Sequence, residues 1–158
     1  MAEQPGDRLP SVLLRALDDA ALEVTEQPAF LLVTTDENGA PRIGMVGAGE
    51  LLVRDDRTLR VALWPGTHTA RNLGRGGTAL FGAVSPGSVV YVRLRPEPLD
   101  TPADLECFEL TVTGVREDAH AGMAVTSGIT FRAEHPGHEE AVATWRHRRA
   151  LLTNARRA

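Results

Sequence analysis

The residues best suited to chemistry lie in one short stretch that contains two threonines and an arginine. Thr67, Thr69 and Arg71 follow a Pro-Gly turn, and the preceding residues 59–64 have the apolar, β-branched content of a strand. A helix that begins at such a turn exposes amides that have no partner inside the helix. Those amides, two hydroxyls and a guanidinium are suited to binding a phosphate group. The spacing equally allows a threonine to cap the helix while Arg71 lies in solvent.

The basic residues narrow the range of possible chemistry. All 17 are arginine, because the sequence contains no lysine. This composition excludes a lysine Schiff base and a P-loop lysine, so a bound anion must be held by arginine, hydroxyls or backbone amides. The formal net charge of −4 argues against a protein that coats nucleic acid or an anionic membrane.

Other motifs that carry chemistry are incomplete. His138-Glu139-Glu140 begins like a zinc-protease helix, but Val142 occupies the position of the second histidine. The remaining histidines lack metal-ligand spacing, so we predict no metal site. Cys107 is the single cysteine, which excludes an internal disulfide. The glycine-rich run 44–49 does not have dinucleotide-binding spacing, and a strand with a bulge or tight turn is expected there.

The elements that must position these residues are mostly strands. The pattern predicts about eight short strands, which is typical of an antiparallel barrel or sandwich. It also predicts an amphipathic helix from Ser11, its N-cap, to Gln27, a short helix at Thr69–Leu73 and a final helix at His138–Thr153. We expect residues 1–10 to be a flexible tail, residues 11–158 to form one domain and residues 154–158 to fray. The predicted strands are 29–35, 41–46, 50–53, 58–63, 78–84, 89–94, 106–116 and 124–131.

Three runs of sequence together resemble a known family. They are PAFLLVTTDENGAPRIGMV, LRVALWPGTHTARNL and TALFGAVSPGSVVYVRLR, and they resemble the FMN-binding split barrels related to pyridoxamine 5'-phosphate oxidase. That family has a D-x-x-G-x-P hairpin and a later [ST]-x-K-x-x-N-L segment that grips the flavin phosphate. Thr67, Asn72 and Leu73 match the second pattern, and Thr69 stands in place of the lysine. The resemblance covers residues 28–95.

The resemblance implies a mainly β (α+β) fold, an antiparallel split β-barrel with short flanking helices that forms a homodimer with the cofactor at the interface. The flavin ring would run along residues 42–46, where Gly44 permits close approach. Arg71 or Arg42 would replace the missing lysine charge. Trp64 is expected to stack on the ligand or, equally, to lie in the core or dimer interface. The residues predicted to bind FMN are Arg42, Ile43, Gly44, Met45, Val46, Leu63, Trp64, Thr67, Thr69, Arg71 and Asn72.

The function implied by the resemblance is that of an FMN-dependent oxidoreductase acting on a small-molecule substrate or electron donor. Because the flavin carries the redox chemistry, no catalytic side chain is predicted. The alternative is a non-catalytic protein that binds haem, the deazaflavin F420 or a flavin as a sensor or carrier. The sequence shows no signal peptide and no membrane-spanning segment, so we expect a cytoplasmic protein. Contributions to the partner's site are expected from Tyr91, Arg93, Trp145 and Arg146.

Overall fold

The computed structural model describes residues 6–101 and 104–158. Within these residues, one nine-stranded sheet is flanked by three α-helices and two short 3-10 helices, at Asp19–Glu23 and Ala48–Glu50. The strands are β1 (Gln27–Thr35), β2 (Pro41–Gly47), β3 (Leu51–Asp55), β4 (Thr58–Leu63), β5 (Ala79–Ser85), β6 (Ser88–Asp100), β7 (Glu106–Asp118), β8 (Thr130–Phe131) and β9 (Arg156–Arg157). The α-helices are α1 (Ser11–Ala16), α2 (His68–Gly74) and α3 (His138–Asn154).

The sheet is antiparallel throughout and runs in the order β2-β1-β5-β6-β7-β4-β3, with β8 paired to β1 and β9 paired to β6. The two long strands β6 and β7 pair along most of their length, and their register shifts between Arg93 and Leu94. Such an irregularity bends and twists the pair, which helps a sheet to curl. The predicted mainly β, antiparallel barrel with short flanking helices is confirmed.

The strands bury one face and leave the other open. On β1, Phe30 and Leu32 are buried while Leu31 and Val33 are half-buried. The same alternation continues on β5 and β6, as expected for strands whose side chains point to opposite faces. We call the buried side the inner face and the other side the outer face. The inner face packs with α1, α2 and part of α3 around one core, which contains Leu13, Leu73, Phe81, Val92, Leu110 and Val142.

The predicted helix from Ser11 to Gln27 is wrong in its length. Helix α1 ends at Ala16, and a 3-10 helix follows after Asp18. Asp18 accepts a hydrogen bond from the Ala21 amide at 2.9 Å. A short acidic side chain that bonds nearby amides in this way competes with continued helix, which accounts for the break. The N-cap is Pro10, not Ser11, and it makes no side-chain capping bond.

Residues near both ends of the described chain make contacts with the rest of the fold. Residues 1–5 of the predicted tail lie outside the described residues, but Leu9 is buried and its amide donates to the Asp56 carbonyl at 2.6 Å. At the other end, Arg156 and Arg157 form β9 instead of fraying. The predicted strand 124–131 is reduced to β8, because residues 124–129 cross the outer face as an irregular segment.

A buried ion cluster explains why the C-terminus is held. Glu109 of β7 accepts hydrogen bonds from Arg60 of β4 at 2.9 and 3.0 Å and from Arg157 of β9 at 2.6 and 3.1 Å. Arg60 also donates to the carbonyls of Leu152 and Ala155. Burial raises the pKa of Glu109, but the combined hydrogen bonds and charges of Arg157 and Arg60 outweigh it, so the pKa is lowered.

Helix α3 carries a run of basic residues at 146–149, and not all of them lie in solvent. Arg149 is buried, and its guanidinium donates to the carbonyls of Leu17 and Ala48 at 2.8 to 3.2 Å and to Asp19 at 2.9 Å. These bonds satisfy a charge that would otherwise be costly to bury. Arg149 therefore docks α3 against the end of α1 and against the 3-10 helix after β2.

We predict that Glu109→Gln lowers the free energy of unfolding by about 3 kcal/mol, because it leaves buried Arg60 without a counter-charge. Glu97→Gln is the matched control, since Glu97 faces Glu109 across the strand pair but is more exposed. The measurement is urea denaturation at pH 7. Equal losses in the two variants would show that the cluster contributes nothing specific.

The contribution of Glu109 to stability should decrease at low pH. Because the folded-state pKa of Glu109 is lowered, its contribution to stability is complete above the unfolded-state pKa, about 4.3. The contribution is lost as pH falls through the lower folded-state value. The difference in unfolding free energy between wild type and Glu109→Gln should therefore shrink below about pH 4.

Candidate functional site

The first hairpin is fixed at its turn by an aspartate. Asp36 accepts hydrogen bonds from the amides of Asn38 and Ala40, both at 2.9 Å, and Gly39 adopts a positive φ of 81°. Arg42 at the start of β2 donates to the same carboxylate at 3.2 Å. The Ala40 amide makes the largest contribution to lowering the pKa of Asp36, and the Asn38 amide and Arg42 add to it. Arg42 is thus held at the hairpin end of β2.

Helix α2 begins at His68, one residue before the predicted start at Thr69 and one turn beyond strand β4. Thr67 is its N-cap, and the hydroxyl accepts a hydrogen bond from the Ala70 amide at 3.2 Å. This bond takes one of the four amides that a helix start leaves unpaired. Within the described residues, the amides of His68 and Thr69 have no hydrogen-bond partner. Thr67 therefore acts as the cap, and two amides and the Thr69 hydroxyl are available to a ligand.

Helix α2 is docked on the inner side of β1 and β2 by two contacts. Asn72 donates a buried hydrogen bond of 2.9 Å to the hydroxyl of Thr34, and Arg75 donates to the Asn72 side-chain oxygen. One turn earlier, Thr69 lies against Gly44, where a Cβ would be only 2.6 Å from the Thr69 hydroxyl. The predicted ligand residue Asn72 thus has its amide engaged within the chain. It fixes the distance between α2 and β2.

Arg71 is exposed but is not loose in solvent. Its guanidinium donates to the Gly66 carbonyl at 2.9 Å and lies 3.0 Å from the His68 ring nitrogen. These contacts hold it beside the first turn of α2, while the guanidinium retains further N–H donors. The structure therefore brings Thr67, Thr69 and Arg71 together around the free amides.

Strand β2 presents its side chains alternately. Ile43 and Met45 point to the outer face, where they are 69% and 64% exposed. Gly44 and Val46 point to the inner face with Arg42, and Val46 is buried in the core. Ile43 and Met45 therefore form an uncovered apolar strip on the outer side of β2. The start of α2 lies on the inner side of the same strand.

Three glycines along β2 and the following turn each receive a side chain from another element. Besides Thr69 at Gly44, Phe131 lies where a Cβ on Gly47 would be 2.9 Å away, and Trp145 where a Cβ on Gly49 would be 2.1 Å away. None of the three glycines has a positive φ. The glycine-rich run is therefore the end of a strand followed by a tight 3-10 turn, as expected, and its glycines permit close approach without a bulge.

A groove of about 280 Å³ continues the apolar strip beyond Met45. Ile129 and Phe131 from the segment before α3 line its far side, and Glu50 lies at its end. The Glu50 carboxylate accepts a hydrogen bond from the Gly47 amide at 2.8 Å, and burial raises its pKa despite that bond. Sequence patterns gave no signal for these residues, because β8 reaches β1 from about a hundred positions away.

The two residues at the end of β4 that were predicted to bind FMN, Leu63 and Trp64, lie in different environments. Leu63 is buried in the core, whereas Trp64 is 59% exposed. The Arg148 guanidinium of α3 lies 5.0 Å from the centre of the Trp64 ring, a distance suited to a cation–π contact. Leu63 therefore serves packing, and Trp64 offers an open aromatic surface next to α2.

The four residues predicted to contribute to the partner's site lie in different parts of the structure. Tyr91 and Arg93 lie on the outer face of β6, next to β5. Trp145 packs inside its own chain against Gly49 and Phe131, and Arg146 forms an ion pair with Glu23. Only the β6 pair stands on the open side of the sheet.

Among residues 6–101 and 104–158, no group of three His, Cys, Asp or Glu side chains is arranged to hold a metal ion. No helix in these ranges is both long enough and apolar enough to cross a membrane.

Comparison with known proteins gives one relative in sequence and several in structure. Over 138 residues the chain is 33% identical to Uncharacterized protein YclD of Bacillus subtilis (strain 168), which covers 85% of this chain and 88% of YclD. No family model matches the sequence. The fold matches a crystal structure of a candidate pyridoxamine 5'-phosphate oxidase from Lactobacillus delbrueckii, with a TM-score of 0.55, 16% identity and coverage of 73% of this chain and 98% of that one. An FMN-binding protein from Syntrophomonas wolfei matches with a TM-score of 0.50, 15% identity and coverage of 67% and 84%.

We predict that Thr34→Val destabilises the protein by about 1–3 kcal/mol, because it leaves the buried Asn72 amide without its acceptor. Thr35→Val is the control, since Thr35 is the next residue of β1 and is exposed. Chemical denaturation gives the free energy of unfolding of each variant. If the two substitutions have the same effect, the Asn72–Thr34 bond does not anchor α2.

Proposed function

Since the chain belongs to the pyridoxamine 5'-phosphate oxidase-like split-barrel family, we propose that it is an FMN-binding oxidoreductase that acts as a homodimer. The proposal is supported by one arrangement: the start of α2, with its free amides, is packed directly against the strand that carries an uncovered apolar strip. A ligand with a flat apolar ring and a phosphate at its other end needs both surfaces close together.

The start of α2 has the donors that a phosphate needs. The first turn of α2 carries the unpaired amides of His68 and Thr69 and the Thr69 hydroxyl, and the Arg71 guanidinium lies beside it with further N–H groups. Hydrogen bonds to a charged group contribute about 1.5–3 kcal/mol each. Three or four of them, together with ring stacking, would meet the ~8 kcal/mol that micromolar binding requires. Arg71 supplies the positive charge that the absent lysine would otherwise provide.

The ring would be held along β2. Ile43 and Met45 supply apolar contact on the outer face, while Gly44 lets Thr69 of α2 approach the inner side of the same strand closely. Arg42, held by Asp36 at the hairpin end, would offer its guanidinium to the polar edge of the ring. Trp64 adds an exposed aromatic surface beside α2. The buried residues Val46, Leu63 and Asn72 would support these positions without touching the ligand.

The chemistry itself would come from the cofactor. When bound, FMN supplies an acceptor and donor of hydride or single electrons. The residues of this chain would bind the phosphate, orient the ring against β2 and leave its other side open to a small-molecule substrate or electron donor. No side chain near the strip has to transfer a proton for this function.

The outer face supports the proposed homodimer. Ile43, Met45, Leu80 and Val84 are exposed on the outer sides of β2 and β5, and the half-buried Leu31 and Val33 of β1 lie between them. Contiguous exposed apolar residues on a small protein mark an interaction surface. A second copy seated there would shield the strip and enclose a ring bound along β2.

We predict that Arg71→Gln weakens FMN binding about 10- to 100-fold, because one charge-assisted contact to the phosphate is lost. Adding FMN to the flavin-free protein and recording the visible spectrum at each addition gives the dissociation constant. Arg54→Gln is the matched control, since Arg54 is an exposed arginine on β3 with no ion pair in the described chain.

The double variant Thr67→Ala/Arg71→Ala should release FMN at micromolar concentration while the far-ultraviolet circular dichroism is retained. Full flavin occupancy in that variant would contradict the phosphate assignment. The same spectra test the alternative cofactors, because a Soret band on addition of haem without any flavin uptake would replace FMN by haem. A protein that takes up F420 but not FMN would replace it by the deazaflavin.

We predict that Ile43→Asp converts the dimer into a monomer, because it places a charge within the proposed apolar interface. Val24→Asp is the control, since Val24 is also exposed but lies outside the sheet. Light scattering after size-exclusion chromatography gives the molecular mass of each variant. A wild-type protein that is monomeric at high micromolar concentration would refute the dimer.

A further inference from the structure

The outer face of the sheet contains a second depression, far along the strand order from β2. It has a volume of about 390 Å³ and lies over β5, β6 and β7. The proposed flavin residues do not line it. Its lining residues are Leu80, Tyr91, Arg93, Gly114, Val115, Arg116 and Asp118.

Gly114 lines the depression and leaves part of it open because it carries no side chain. A second glycine, Gly82, stands diagonally from it on the same face but does not line the depression. Across the strands, Leu80, Arg93 and Gly114 form one row, and Gly82, Tyr91 and Arg116 form the next. Neither glycine has a positive φ, and a Cβ at either would make only ordinary contacts, with no atom closer than 3.7 Å. The backbone therefore does not require glycine at these positions. Glycine weakens a strand, so we infer that its benefit here is the open space that it leaves above the sheet.

The charge of the depression is positive. Arg116 is engaged by Asp118 at 3.0 Å, which leaves the charge of Arg93 unbalanced. Among the residues that the structure describes, none forms an ion pair or a hydrogen bond with the Arg93 guanidinium. A planar guanidinium with all its donors available binds a carboxylate through two parallel bonds.

The remaining walls are aromatic and apolar. Tyr91 is half-buried beside Arg93 and carries both a ring face and a hydroxyl, while Leu80 and Val115 add apolar surface. One unbalanced cation next to a ring matches a flat monoanion better than a free dianion. We propose that this depression binds an aromatic carboxylate, with the carboxylate on Arg93 and its ring against Tyr91.

The site does not depend on the flavin. If the proposed function holds, the same face would be shared with the second copy, and an acid bound here would lie at the edge of the dimer. The test measures a signal from the depression itself. A failure to bind the carboxylate can therefore be told apart from a failure to bind FMN.

Tyr91 is the only tyrosine of the chain, so the protein labelled with 3-fluorotyrosine gives a single ¹⁹F resonance from the depression. We expect benzoate to shift this resonance saturably at millimolar concentration. Benzamide has the same shape without the charge and is expected to produce no saturable shift. An equal response to benzamide, or no response to benzoate, would overturn the proposal.

Arg93→Gln should weaken the benzoate response at least tenfold. Arg95→Gln is the matched control, because Arg95 lies on the same strand, pairs with Glu97 at 3.8 Å and does not line the depression. Gly114→Ala keeps every charge but fills part of the space, and it should weaken binding several-fold without lowering thermal stability. An unchanged benzoate response in Arg93→Gln would refute the role of Arg93.

Two further outcomes also count against the site. If inorganic phosphate gives the same saturable shift as benzoate, the depression binds small oxyanions in general and the ring has no role. If the resonance moves with protein concentration alone and ignores benzoate, a side chain of a second copy fills the space. A benzoate response that persists in flavin-free protein supports the proposal even where FMN does not bind.

Discussion

A buried hydrogen bond between Asn72 and Thr34 holds the candidate site together. It ties α2 to β1 at 2.9 Å, inside the barrel where water does not compete. Because α2 is fixed there, Thr69 is pressed against Gly44 and the helix start with its free amides lies next to β2. A mobile helix would offer the same donors but at no defined distance from Ile43 and Met45. Binding one ligand at both surfaces needs that fixed distance.

The other end of the barrel is held by charge. Glu109 accepts from Arg60 and Arg157, which attaches β9 to β7, and buried Arg149 donates to two backbone carbonyls, which attaches α3 to the end of α1 and to the turn after β2. Arg60 and Arg149 are largely buried and fully bonded, which fits the planar, five-donor guanidinium. A chain without lysine thus uses arginine for architecture at one end and, in our proposal, for ligands at α2 and on β6.

Most of the strands and the short helix after Pro65-Gly66 could be predicted because their signals are local: alternating apolar residues, an Asp-x-x-Gly turn and a threonine before a helical run. The contacts between residues far apart in the sequence could not be predicted in this way. The same sequence that predicts a fraying C-terminus contains Arg157, whose partner Glu109 is 48 residues away. Asn72 was expected to bind the ligand, because a motif gives the residue but not the direction of its amide. Thr34 could have been recognised as a buried hydrogen-bonding residue, because it is polar and points to the same side of β1 as Phe30 and Leu32.

The most direct test of the account is a crystal structure of the protein grown with FMN. The account predicts the phosphorus atom within hydrogen-bonding range of the His68 and Thr69 amides, and the ring lying along Ile43 to Met45. Electron density for FMN elsewhere on the barrel, with the start of α2 bonded only to solvent, would contradict it.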